Sequence, residues 1–305
     1  MKSYKGKAYK RIILAYGILI LTAIVVILYL LFNQQDSKIE TFRSLGFGEP
    51  LTKSQVTLLS LESEYMDRNM PYIIYLPKGY GNGEKYPVWY GLNSYSTKED
   101  MWINNGINIA ADELIEAGEI EPIIMVFPYT KDATLKEIEK DLEDGIVDER
   151  EFDQFLCKEL VPYIDTHFYT TSKPEGRFIG GFSLGGMIAL RTAFHHTDLF
   201  SKVGGYSAGV LYNDFSGNQL EEWLYPNEAI DDINTFDKKK GFQKLSIQLD
   251  AGNSNDPFAV GLESLHEALL KRGIASEFEL YDGGHTLRKN KLKDYLKFYA
   301  QKDES

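Results

Sequence analysis

The chain has one cysteine, Cys157, among its 305 residues. An internal disulfide is therefore excluded, and so is a zinc site built from several thiolates. Cys157 stands among Phe155, Leu156 and Leu160, which predicts a small core residue rather than a reactive thiol. Histidine is scarce too, with five copies, so chemistry that needs an imidazole has few places to look. Acids are missing from the first 32 residues, which carry Lys2, Lys5, Lys7, Lys10 and Arg11; the remainder is left with 28 bases against 45 acids. So acidic a domain is repelled by phosphate backbones, and nucleic acid is excluded as a partner. No internal repeat or low-complexity tract interrupts the chain.

Charge is absent altogether from residues 12–32. At about 1.5 Å per residue a helix of that length spans roughly 30 Å, the thickness of a bilayer's hydrocarbon core. The bases before it place residues 1–11 on the cytoplasmic side and the bulk of the chain outside. A cleavable leader would have a shorter apolar stretch and a small-residue cleavage site, which Leu31-Phe32-Asn33-Gln34-Gln35 does not offer. The expectation is a single membrane anchor over 12–32, a polar linker over 33–52, and one α/β domain over 53–303.

Within that domain, apolar runs and turn residues predict strands over 55–61, 70–76, 86–92, 122–127, 177–182, 202–207, 244–249 and 277–281. Helical spacing predicts helices over 107–117, 151–164, 184–194, 258–271 and 290–300. Strands that alternate with helices imply a mostly parallel sheet covered on both faces. The charged stretch 131–151 reads as solvated surface. The stretch 211–240, with Trp223 and Tyr225, reads as an insertion that lines a cleft or packs in the core.

Gly181-Phe182-Ser183-Leu184-Gly185 stands between a predicted strand and a predicted helix. A serine at such a turn projects its hydroxyl out of the backbone, and the glycines let strand and helix pack closely; this is the nucleophile elbow of α/β-hydrolases. The following helix turns the positive end of its dipole toward an oxyanion forming there. A serine hydroxyl needs a base, and the base needs an acid to orient it. In such a fold the chain order is serine, acid, histidine. His195 and His196 close the helix after the elbow, His266 lies inside a helix, and His167 precedes the serine. His285 follows the last strand in a glycine-rich loop at the sheet's carboxyl edge, where open parallel sheets bind ligands, and is the expected base. For the acid, Asp256 in the loop after 244–249 is preferred to Asp250 at that strand's end, although Asp256 would also suit the N-cap of the next helix. Asp282 and Asp214 are weaker candidates. The oxyanion donors are expected to be the backbone N–H groups of Leu184 and of Tyr95, in the loop after the third core strand.

Four segments together resemble the esterase D-like branch of α/β-hydrolases, which includes feruloyl and acetylxylan esterases, S-formylglutathione hydrolases, enterochelin esterases and mycolyltransferases. They are Tyr75-Leu76-Pro77-Lys78-Gly79-Tyr80 with Tyr86-Pro87-Val88, then 159–165 (Glu-Leu-Val-Pro-Tyr-Ile-Asp), then 179–186 around the elbow, and Gly283-Gly284-His285. Two positions depart from the family pattern: Asn93-Ser94 stands where a His-Gly pair is usual, and Leu287-Arg288 follows the histidine where an aromatic is common. The resemblance implies an α/β-hydrolase fold and a serine esterase with Ser183, Asp256 and His285 as its triad, acting on a small-molecule or glycan ester without metal or cofactor. Transfer of the acyl group to an envelope sugar or lipid, or a non-catalytic binding role, are the alternatives. The oligomeric state is not legible.

Overall fold

The computed structural model describes residues 49–95, 97–130, 149–210, 214–216, 219–224 and 244–301. The anchor expected over 12–32, the linker to residue 48, most of the charged stretch 131–151 and Tyr225 lie outside the described residues. Among the described residues no helix is long and apolar enough to cross a membrane.

Eight strands form one sheet. They are β1 Gln55–Ser63, β2 Arg68–Leu76, β3 Val88–Leu92, β4 Ile124–Pro128, β5 Arg177–Phe182, β6 Lys202–Tyr206, β7 Ser246–Gly252 and β8 Ser276–Tyr281. The order across the sheet is β1-β2-β4-β3-β5-β6-β7-β8. β1 and β2 pair antiparallel, β2 meets β4 antiparallel, and β4 through β8 run parallel. The chain leaves β3 toward β4 on one side and then returns to β5 on the other. Order reverses there, so the crevice beyond the carboxyl ends of β3 and β5 is where such a sheet accepts a ligand.

Helices cover both faces. They are α1 Met101–Asn104, α2 Ile107–Glu116, α3 Arg150–Gln154, α4 Val161–His167, α5 Leu184–His195, α6 Gln219–Leu224, α7 Ala259–Lys271 and α8 Leu292–Ala300. A π-helical turn, Phe155–Leu160, joins α3 to α4. Side chains alternate along each strand, so β3 sends Val88 and Tyr90 into one core and Trp89 into the other. The larger core includes residues of α3 to α7; the smaller one includes residues of α1, α2 and α8. In α2 the buried residues Ile107, Ala110, Ala111 and Leu114 recur at helical spacing, as the sequence requires.

Two expectations need correction, and one open choice is decided. β7 runs on to Gly252, so Asp250 lies inside a strand rather than at its end. Glu149 is not solvated surface: it is buried against Arg191, with 2.9 Å between Arg191 Nη1 and its Oε1. Removing one partner of such a pair strands a buried charge, at about 3–5 kcal/mol. Of the two readings of 211–240, Trp223 takes the core one. It is 2% exposed, edge-on to Phe215 and beneath the Arg191 guanidinium.

Candidate active site

The turn between β5 and α5 places Ser183 at φ +59°, ψ −120°, a strained combination for a residue with a side chain. The strain is held from both sides. The Ser183 N–H donates to the Tyr206 carbonyl at 3.0 Å, and its carbonyl accepts from Gly209 N at 2.9 Å and Met187 N at 3.1 Å. The glycine at 185 is required by close approach: a Cβ there would stand 2.6 Å from the backbone oxygens of Leu92 and Asn93. The loop after β3 is thereby drawn against the first turn of α5.

That loop is fixed by Asn93. Its amide donates to the Ser94 and Thr97 carbonyls at 3.0 and 2.8 Å, and its oxygen accepts from Thr130 N and Oγ1, each at 3.0 Å. An asparagine with all these groups engaged explains how the departure from the family pattern at 93–94 still gives a set turn. Tyr95 follows, half-buried against the larger core. Leu184 is the first residue of α5, where a helix N–H has no acceptor within the helix.

The structure brings Ser183, His285 and Asp256 together. His285 Nε2 is 2.9 Å from Ser183 Oγ. On the other edge of the ring, Nδ1 is 3.4 Å from Asp256 Oδ1, an ion-pair distance longer than a well-formed hydrogen bond. Catalytic hydrogen bonds are often long in unliganded sites and shorten around substrate. The imidazole stacks on Phe182 at 4.9 Å and meets Phe258 edge-on at 5.0 Å. It is 27% exposed, whereas the Asp256 side chain is fully buried. The loops that carry the two residues are zipped together: Ser254 N donates to Gly283 O at 2.9 Å, and Asn253 N to Tyr281 O at 2.9 Å.

Burial alone would raise the Asp256 carboxyl. The nearby His285 ring and hydrogen bonds from the Ser207 hydroxyl, Gly252 N and Phe258 N outweigh it and bring the pKa down to about 2. Asp256 therefore keeps its negative charge beside the imidazole. It also accepts from Phe258 N at 3.1 Å, but the N-cap of α7 is Phe258 rather than Asp256, and no side chain caps that helix.

The other candidates are engaged elsewhere. Asp250 accepts from Tyr295 Oη at 2.6 Å and Ser207 N at 3.0 Å, and burial raises its carboxyl to about 6. Asp214 bonds Ser216 in an exposed turn, and Asp282 is exposed. His195 Nε2 meets the Leu224 carbonyl at 2.7 Å, His266 Nδ1 meets Ser276 Oγ at 2.8 Å, and His167 Nδ1 meets the Tyr163 carbonyl at 2.8 Å. Among the described residues one group of mixed donors, Asp153, Cys157 and His196, lies within 4.8 Å of one another at the far end of α5. Asp153 and His196 pair together at 2.8 Å, and burial pushes the Cys157 thiol up, away from the thiolate that metals bind. That group is a hydrogen-bonded histidine and aspartate beside a core cysteine. Sequence reasoning overlooked Phe182, Phe258 and Ser207. Only Phe182, inside the elbow motif, left a local signal.

The family sequence model described as putative esterase matches residues 63–292. An endo-1,4-beta-xylanase/feruloyl esterase of Xylanibacter ruminicola is 32% identical over 173 residues, covering 54% of this chain and 23% of that protein. An esterase of Mycobacterium tuberculosis is 26% identical over 247 residues, covering 70% of this chain and 52% of that one. The chain thus spans about half or less of the length of these curated relatives. A ferulic acid esterase structure from the anaerobic fungus Anaeromyces mucronatus superposes with a TM-score of 0.67 at 18% identity, covering 83% of this chain and 92% of that one. The S-formylglutathione hydrolase of Staphylococcus aureus does so with a TM-score of 0.57 at 17% identity, covering 81% and 95%. At these identities the likeness is one of fold, and the fold is α/β-hydrolase-like.

Proposed function

This chain belongs to the putative esterase family, and we propose that it hydrolyses carboxylic esters through Ser183, His285 and Asp256. The observation that carries the reading is the 2.9 Å contact from His285 Nε2 to the hydroxyl of a serine on a strained strand-to-helix turn. Ser183 Oγ attacks the ester carbonyl while His285 Nε2 takes its proton. Asp256, held ionised, stabilises the imidazolium that forms. The N–H groups of Leu184 and Tyr95 receive the oxyanion as the tetrahedral centre develops. His285 returns the proton to the departing alcohol, and the acyl group stays on Ser183 as an ester. A water then attacks the acyl carbon while His285 takes its proton; the bond from that carbon to Ser183 Oγ breaks, His285 returns the proton to Oγ, and the carboxylic acid leaves. Phe182 and Phe258 limit the ring to the plane in which its two nitrogens face the serine and the carboxylate.

The relatives named feruloyl and ferulic acid esterases support a feruloyl ester as the first natural-type substrate to try, with p-nitrophenyl acetate as the general probe. Ser183→Ala is expected to abolish turnover of both while the far-ultraviolet circular dichroism stays unchanged. Turnover retained in that variant refutes the reading. The same proposal sets the domain on the outer side of a membrane, held by residues 12–32; loss of membrane association on deleting residues 1–35 tests that part.

A further inference from the structure

Ser207 touches no reacting atom, yet its surroundings are costly to build. It is fully buried and has φ +45°, a conformation that few residues other than glycine adopt. Glycine is plentiful beside it, at 204, 205 and 209. A serine kept at such a position has a use for its hydroxyl.

That hydroxyl donates to Asp256 Oδ2, which also accepts from Gly252 N at 3.0 Å. The other oxygen, Oδ1, accepts from Phe258 N at 3.1 Å and faces His285. The Ser207 N–H points to Asp250, with 2.9 Å to the backbone oxygen and 3.0 Å to Oδ1. Asp250 is itself held by the Tyr295 hydroxyl at 2.6 Å. The residues on either side of Ser207 hold the nucleophile. Tyr206 accepts from Ser183 N, and Gly209 donates to Ser183 O. One turn, 206–209, thus grips the backbone of Ser183 and the carboxylate of Asp256 together.

We propose that Ser207 is a positioning residue that locks the Asp256 carboxylate to the nucleophile elbow, so that acid, base and serine stay in register. The inference rests on the triad reading above. Its physical basis is the last torsion of an aspartate side chain, which is broad and roughly two-fold, so that hydrogen bonds rather than sterics decide where the oxygens point. With the Ser207 donor removed, the carboxylate keeps its two backbone donors, Gly252 N on Oδ2 and Phe258 N on Oδ1, but loses the bond that ties it to the nucleophile elbow and sets its plane toward Nδ1.

Four variants, Ser207→Gly, Ser207→Ala, Asp256→Asn and the double variant Ser207→Gly/Asp256→Asn, test this with p-nitrophenyl acetate, read as kcat, KM and melting temperature. Glycine relieves the backbone at φ +45°, so Ser207→Gly is expected to melt no lower than the parent. It is nevertheless expected to lose about tenfold to a hundredfold in kcat at unchanged KM, the scale found when groups that orient a reactive centre are removed. Ser207→Ala, which keeps the Cβ, should lose a similar factor. In the Asp256→Asn background the Ser207→Gly change should cost nothing further, because the partner it orients is already gone. Parent-like kcat in Ser207→Gly, with Asp256→Asn crippled, overturns the role of Ser207 alone. An equal loss in both backgrounds overturns the route through Asp256. Parent-like turnover in Asp256→Asn overturns the triad reading beneath it.

Discussion

The last turn of β7 and the loop that follows it each bury an aspartate, and the two are held in opposite states. Asp250, inside the strand, is raised to about 6, chiefly by burial, despite its bonds from Tyr295 and Ser207. Asp256, six residues later, is lowered to about 2 although burial pushes it the other way. Asp250 is the more deeply buried of the two, so desolvation weighs more on it. Donor supply works in the same direction: Asp256 takes two backbone N–H groups and a hydroxyl and faces an imidazole, while Asp250 takes one N–H and one phenol. Depth of burial and the donors turned toward each carboxylate together set the two states.

The comparison breaks most sharply in turnover. Asp256→Asn is expected to lower kcat for p-nitrophenyl acetate by about 10³–10⁴, the scale set by removing the acid of a serine triad. Asp250→Asn, one step behind Ser207, should lose less than about tenfold. Equal losses in the two would erase the distinction drawn between them.

Stability against pH sharpens it, with opposite signs. Asp256 has a folded pKa below its unfolded value of 3.8, so its contribution of about 2 kcal/mol is present above about pH 4 and is lost as pH falls toward 2. Asp250 has a folded pKa above 3.8. It favours the fold below about pH 4, and that support, about 3 kcal/mol, disappears as pH rises through 6. Denaturant titrations from pH 3 to 7 should accordingly show Asp250→Asn flattening the decline between 4 and 6. Asp256→Asn should flatten the decline at the acid end. The reverse assignment would show that the donors have been read wrongly.

The same pair marks where sequence reading stops. Ser183 and His285 were legible because their signals are local: glycines around a serine between a strand and a helix, and a histidine in a glycine-rich loop after the last strand. The choice between Asp250 and Asp256 was not fixed by anything local. It depends on Ser207, Tyr295 and His285, all of which reach their aspartate from at least 29 residues away. The end of β7 shifted for a related reason, since the polar Asp250 stays inside the strand through partners on β6's exit and α8 that no window of neighbours contains. Glu149 looked solvated among other charges because Arg191, its partner, stands 42 residues later. The alternation of strands with the longer helices, in contrast, was readable, because apolar spacing is set by the same element it predicts; the short helices α1 and α6 were missed, being too brief to show a period.

A fluorophosphonate reporter reads the central claim, an activated hydroxyl at Ser183, most directly. Peptide mass mapping after brief exposure should find one adduct, on the peptide carrying Ser183, and Asp256→Asn should slow its formation. A chain that stays unmodified, or one modified at another residue while Ser183 remains intact, would contradict the account.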